Sequence, residues 1–405
     1  MFKRVSVAIS ILIILTILGF GGTPIFRHAD YWIDSATDES CVGCHVRLHP
    51  MMVQEWKNSP HFISSVGCEA CHGTDHAKMQ SADGKVSAKA CGETCHAREY
   101  TQFTLSKHSK PKTGRKADLL SLYPDEVGGC TFTIGCHAVR QPYSDGSSGK
   151  CSVCHPSHSF SMEITQDPAT CTVCHSGSNN TEGEEYEKSI HGVMYRTVGL
   201  EGGGANCITC HMPNGNHNDG INTTDILLEP GDGQLTFVHT MPREEFEEKR
   251  AAMIGVCKQC HGTKLAKRAL EEGDAFRKKG AYMLEEAASV VRALYTEGLL
   301  DPMPHNRTPN PFAGPVLFLG ANQLFDREMS AAERIFYRMY MFTYSSAWRR
   351  AYHNLPALMR WHENEMLKND LIMLRAEGAR LRALARAGGI IPDPPHTMAQ
   401  STSPK

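Results

Sequence analysis

The chain has 405 residues, enough for one large or two modest domains, with 42 Lys and Arg against 44 Asp and Glu and a formal net charge of −2. A balance this close to neutral excludes the electropositive footprint of a nucleic-acid binder. The distinctive number is 16 cysteines, and their spacing decides their use.

The chain opens with "MFKRVSVAISILIILTILGFGG". Lys3 and Arg4 form a positive start, and Val5–Phe20 is a mostly apolar run. The run is slightly long for a signal peptide's apolar region and slightly short for a membrane span, and no clear A-x-A site follows. Residues 1–25 therefore read as either a cleaved export signal or an uncleaved membrane anchor. In both cases the remainder is expected outside the cytoplasm, in the periplasm or an equivalent compartment.

Six C-x-x-C-H motifs follow: Cys41, Cys44 and His45; Cys68, Cys71 and His72; Cys151, Cys154 and His155; Cys171, Cys174 and His175; Cys207, Cys210 and His211; Cys257, Cys260 and His261. This pattern attaches c-type haem: two cysteines form thioethers, and the next residue brings an imidazole to the iron. Two stretched versions use the remaining cysteines. "CGETCH" holds Cys91, Cys95 and His96, and "CTFTIGCH" holds Cys130, Cys136 and His137. Zinc ribbons or disulfides are the competing reading. Zinc sites do not require His directly after each second Cys, and eight haem sites consume every cysteine. The expectation is eight covalently bound haem c groups.

Residues 26–262 are read as the haem-binding domain. The stretch is rich in Gly, Ser, Thr, Asn and Asp, so the porphyrins must supply much of its buried apolar surface. Residues 222–237 read as a loop with a short hairpin. From 263 to 388 the pattern is helical, over 264–298 and again from Ser330. There Ser330 and Glu333 can form a capping box, and Ile335, Phe336, Met339 and Phe342 recur at helical spacing. Pro356 should interrupt this helix, with the pattern resuming over 358–387. These helices are read as a packing and oligomerisation region, and 389–405 as a disordered tail. The expected fold class is mainly α: a haem-packed multihaem cytochrome c domain with little regular β, followed by long C-terminal helices.

The 21 histidines exceed the eight that follow cysteine motifs. A six-coordinate electron-transfer haem needs a second axial ligand, usually another His. His76, His158 and His217 lie just beyond a motif, His61, His108 and His191 precede one, and His353 sits on a C-terminal helix. These seven are the distal-ligand candidates. Seven for eight haems leaves one iron open, where a small molecule can bind.

The motif order, with "CSVCHPSHSF", "YEKSIHG", "CITCHMPNGNH", "ERIFYRMYMF" and "AYHNLP", resembles the octahaem hydroxylamine oxidoreductases across about residues 40–385. "IHG…CITCHMP" is also similar to the related pentahaem nitrite reductases. The resemblance implies a haem-packed helical fold, usually a homotrimer, with the fourth haem as the active site lacking a distal ligand. Here that haem belongs to His137. The family's Asp-His pair after the sixth motif is replaced by Asn179 and Asn180, and Asn cannot take a proton near neutral pH. The family's crosslinking Tyr matches Leu358, with Tyr344 and Tyr352 nearby.

These departures favour an electron-transfer cytochrome with an atypical fourth haem. The alternative is a reductase of hydroxylamine, nitrite or a related nitrogen or sulfur oxyanion at an open fourth haem, around His137, Asn179 and Asn180, with Arg140 or Tyr143 acting electrostatically. Oxidation of hydroxylamine or hydrazine fits less well. The partners expected are redox proteins (cytochromes or a quinol-linked membrane complex) and further subunits: a homotrimer, or an active paralogue for which this chain is a structural partner.

Overall fold

A computed structural model describes residues 41–80, 85–110, 138–177, 180–300, 309–310, 314–318, 330–353 and 357–387. It is mainly helical. Among the described residues the one sheet is a two-stranded antiparallel ladder, Pro309–Asn310 against Gly314–Phe318. Residues 222–237 form a loop whose Ile226 makes a single parallel bridge to Thr240.

Contacts group the chain into two units, residues 1–68 with 158–160, and residues 69–157 with 161–405. In the first unit, Ser59 caps the Pro60–Ile63 helix by accepting from the Phe62 N–H. Trp56 donates its indole N–H to the Val66 carbonyl at 3.0 Å. The second unit holds both the later cysteine motifs and the long helices.

The motif region of the second unit is built from short helices started by side-chain caps. Ser87 caps Ala88–Gly92, Asp167 with Pro168 at the first turn starts Pro168–Thr172, and Asn206 makes a capping box with Thr209 over Cys207–His211. A cap contributes about 1 kcal/mol, which is decisive for helices of one turn. The caps fix where Cys91, Cys171 and Cys207 fall. Few apolar residues are buried here, while Val173 and Ile190 are 81% and 78% exposed. That is apolar surface a porphyrin would cover.

The main apolar core lies among the long helices. Thr263–Thr296 buries Phe276, Gly280, Leu284, Ala288, Val291 and Leu294 on one stripe at spacings of three and four. Against it pack Phe336, Tyr344, Ala347, Ala351, Leu367, Leu371 and Leu374. The expected capping box at Ser330 and Glu333 is present. It starts Ala331–Arg338, which continues as a π-helical turn, Met339–Tyr344, into Ser345–His353. Thr343 and Arg338 both hold Asp370 on the last helix, Ala357–Arg386. A π turn carries an extra residue per turn and so rotates everything after it about the helix axis. It therefore sets the facing of Arg349 and His353. Pro356 and the tail lie outside the described residues.

Buried Arg277 ties this core to the loop before it. Its guanidinium donates to the Thr224 carbonyl at 2.7 Å, pairs with Asp225 and lies over the Trp348 ring. The Ser345–His353 helix in turn docks on Glu182–Lys188 through Arg349 to Glu182 at 2.5 Å and Arg350 to Glu185 at 2.9 Å.

Candidate functional site

The attachment motifs share a local geometry. In the fifth, sixth and eighth, the second Cys N–H and the His N–H both donate to the first Cys carbonyl: 3.1 and 3.0 Å at Cys151, 3.1 and 2.9 Å at Cys171, 3.2 and 2.9 Å at Cys257. Stretched Cys91–His96 keeps both bonds, at 3.4 and 3.0 Å, by widening the turn by one residue. The extra residue therefore leaves the backbone geometry of attachment in place.

Four motif histidines stand opposite a histidine proposed from sequence as a distal ligand. Ring centroids are 6.1 Å apart for His155 and His217, 6.1 Å for His175 and His108, 6.1 Å for His211 and His353, and 5.8 Å for His261 and His191. The ring planes meet at 20°, 72°, 28° and 56° respectively. An imidazole nitrogen lies about 2 Å from a metal it binds, so two rings on opposite sides of one iron have centroids about 6 Å apart. The centroid spacing fits an iron held between each pair, with the Nε2 atoms of His191 and His261, 3.5 Å apart, having to part slightly to about 4 Å.

The outer ring nitrogens agree. His353 Nδ1 faces the Arg349 carbonyl at 2.8 Å, and His217 Nδ1 the Gly215 carbonyl at 2.9 Å. A proton held at Nδ1 leaves Nε2 free to bind a metal. Burial also pushes His211 down to about 4, with His353 adding to the shift, and burial lowers His155, His191 and His353. Each is thereby kept neutral, the form that donates a lone pair.

The sixth pair differs in its surroundings. His175 Nδ1 lies 4.0 Å from Glu182 Oε1, and His108 Nδ1 lies 3.4 Å from Asp219 Oδ2. The Lys107 N–H holds the other Asp219 oxygen at 3.0 Å. At Glu182 burial favours the neutral acid, but His175 and Arg349 hold the carboxyl down to about 2. Sequence reasoning missed Glu182, Asp219 and Arg349, because a lone acid in a loop or first turn reads as a solvated one.

Attachment cysteines also neighbour each other. The Cys91 thiol neighbours that of Cys151, and the Cys171 thiol that of Cys207. Cys154 is near enough to Cys171, Cys210 to Cys257, and Cys71 to Cys91 and Cys95, to be raised by the neighbouring charge, after burial.

The other candidates are placed as follows. His45 stacks on His49 with centroids 5.2 Å apart, and His61 packs edge-on to Phe160 at 4.3 Å. His72 ends the Glu69–His72 helix, and His76 opens His76–Gln80. His96 precedes Ala97–Leu105, and His158 sits at φ 70°. Asn180 donates its side-chain amide to the Cys174 carbonyl at 3.4 Å and its N–H to Gly177, closing the turn after the sixth motif. Tyr143 has a buried hydroxyl with no hydrogen-bond partner among the described residues, and burial pushes it up to about 12. Tyr344 and Tyr352 spend their hydroxyls on the Arg277 carbonyl, at 3.2 Å, and on Asp274, at 2.6 Å. Cys130, Cys136, His137, Asn179 and the Leu358 side chain lie outside the described residues, as does the apolar run at 5–20. Among the described residues no helix is long and apolar enough to cross a membrane.

Comparison with known proteins gives a consistent group. A family described as seven times multi-haem cytochrome CxxCH matches residues 134–308, and cytochrome c554 and c-prime matches 27–73. A probable nitrite reductase-hydroxylamine oxidoreductase fusion protein of Kuenenia stuttgartiensis is 22% identical over 85% of this chain and 52% of its own length. The chain thus spans about half the length of that curated relative. Among solved structures, a reducing HAO-like protein complex of the same organism superposes with a TM-score of 0.65 at 22% identity, covering 86% of this chain and 85% of that one. A hypothetical multiheme protein superposes with a TM-score of 0.65 at 17% identity, covering 90% and 100%.

Proposed function

We propose that this chain, a divergent multihaem c-type cytochrome related to the hydroxylamine-oxidoreductase-like proteins, carries electrons along eight covalently attached haems, the fourth of them atypical. When bound, the haems supply a reversible one-electron iron couple. The chain's part is to tether them in series, cap both faces of most irons and keep water away.

The observation that carries this reading is the set of four histidine pairs with centroids 5.8–6.1 Å apart. A capped iron passes electrons without binding substrate. His61, His76 and His158 are the remaining distal-ligand candidates, and seven such histidines for eight haems leave one iron, that of His137, without one. The neighbouring cysteines support a continuous electron path, and Asn180, bound back to Cys174, offers no proton-accepting group.

A second reading, reduction of hydroxylamine, nitrite or a related oxyanion at the open fourth haem, is favoured by the reducing complex and the nitrite reductase fusion among the relatives. Arg140 and Tyr143 follow His137 directly and would act there through charge and hydrogen bonding. Redox partner proteins and a multi-subunit assembly, a trimer or a mixed complex with a paralogue, complete the proposal, in an extracytoplasmic compartment.

Carbon monoxide added to the reduced protein separates the readings. A spectral shift for about one haem in eight shows an open iron, and no shift sinks the reductase reading. Turnover of hydroxylamine or nitrite with a viologen donor sinks the pure electron carrier.

A further inference from the structure

We infer that Glu182 and Asp219 lower the reduction potential of the sixth haem below that of its neighbours, by placing a carboxylate at each of its two axial imidazoles. The inference rests on the axial pairing of His175 with His108 proposed above. His175 Nδ1 lies 4.0 Å from Glu182 and His108 Nδ1 3.4 Å from Asp219. The Nδ1 partners described at the fifth and seventh pairs are neutral instead: the Thr165 hydroxyl at His155, the Gly215 carbonyl at His217 and the Arg349 carbonyl at His353.

The sign follows from charge. Oxidised haem iron carries one more positive charge than reduced, so a nearby carboxylate stabilises the oxidised form. A carboxylate at Nδ1 also draws the imidazole proton toward itself and makes Nε2 a stronger donor. At 4.0 Å the Glu182 contact acts through its field and not as a hydrogen bond, whereas Asp219 at 3.4 Å is within reach of one. Arg349 binds Glu182 at 2.5 Å, and Arg140 is close enough to act on Asp219 and His108. These cations offset part of the field. The expected effect of each carboxylate is therefore about tenfold in the oxidised-to-reduced ratio, about 59 mV for one electron.

The sixth motif's Cys171 neighbours Cys154 of the fifth and Cys207 of the seventh, so its haem would stand beside theirs. A low potential there makes it an uphill step that only strongly reducing electrons cross readily. No bond forms or breaks: one electron arrives from one neighbour and leaves to the other.

The test is a redox titration of the haem-loaded full chain followed by electron paramagnetic resonance. The ring planes of His175 and His108 meet at 72°, against 20°, 28° and 56° for the fifth, seventh and eighth pairs. Steeply crossed axial rings give a more anisotropic low-spin signal, and the one such component that is lost in His108→Ala is assigned to this pair. Glu182→Gln and Asp219→Asn should each raise its midpoint about tenfold in ratio and leave the others in place. Arg349→Gln, which keeps the carboxylate and removes its cation, should lower it.

His108→Ala is the control for the pairing and should turn that same component high-spin. If it does so while the carboxylate variants leave every midpoint unmoved, the inference is overturned and the pairing stands. If no high-spin component appears, the pairing itself is wrong and the inference falls with it. Haem loss in one carboxylate variant leaves the other, with Arg349→Gln, to decide.

Discussion

His353 ends its helix with its ring 6.1 Å from that of His211, at an interplanar angle of 28° and with Nδ1 against the Arg349 carbonyl. The helix Ser345–His353 thus brings an imidazole opposite His211 of the seventh motif, where we propose it as the distal ligand. His353→Ala should therefore open one iron. The expected outcome is a new high-spin component of about one haem, able to bind carbon monoxide, with haem content unchanged. An unchanged low-spin spectrum would remove His353 from the ligand set.

The delivery depends on a close approach at Gly273. A methyl group there would come within 2.5 Å of the Tyr352 ring, next to His353. Gly273→Ala should overpack the interface of the Thr263–Thr296 and Ser345–His353 helices and cost about 1–3 kcal/mol. Thermal unfolding measures the loss, and the seventh-haem signal should shift with it. Gly298→Ala, at a turn with φ 66° and no atom within 4 Å, is the comparison that strains backbone only.

Much of this was legible in the sequence, for reasons that differ by residue. Thioether attachment demands two cysteines and a histidine at near-fixed spacing, so His155, His175, His211 and His261 announce themselves. Ser330 and Glu333 announce a helix start because capping is local. The distal histidines were visible as candidates, but their pairing was not. His217 folds back to His155, while His108 and His191 reach forward past other motifs to His175 and His261. Such assignments depend on tertiary packing. The Arg243–Cys257 helix hides behind a charged first half and a weak apolar face, and the π turn at Met339–Tyr344 has no residue signature. Glu182 and Asp219 acquire a role only through what lies opposite them.

The helical core should also be sensitive to alkali. Burial pushes Tyr344 up from its ordinary value of 10.0 to about 12, and burial with Tyr340 does the same to Tyr337. A folded-state pKa above the unfolded one means that the folded chain holds the phenol proton more tightly. The stabilisation is full below about pH 10 and lost as pH rises toward 12. For Tyr344 it amounts to about 2–3 kcal/mol at most. The thermal midpoint should fall across that window, and Tyr344→Phe should flatten the fall. An equal slope in both proteins would place the alkaline transition elsewhere.

The last prediction concerns "CTFTIGCH", which lies outside the described residues. Sixteen cysteines divide into eight sites only if Cys130 and Cys136 form one. At the stretched third motif Cys95 and His96 both still donate to the Cys91 carbonyl, so one extra residue widens the turn without separating His from the first Cys. Five intervening residues ask for a larger loop between the same two anchors, and the conformational cost of closing it grows only slowly with length. The mass of the intact haem-loaded chain should therefore correspond to eight haems, and replacing Cys130 and Cys136 by Ala should remove one haem and nothing more. A wild-type mass with seven haems would mean that the fourth motif no longer attaches its cofactor. It would also move any carbon-monoxide-binding iron to a different site.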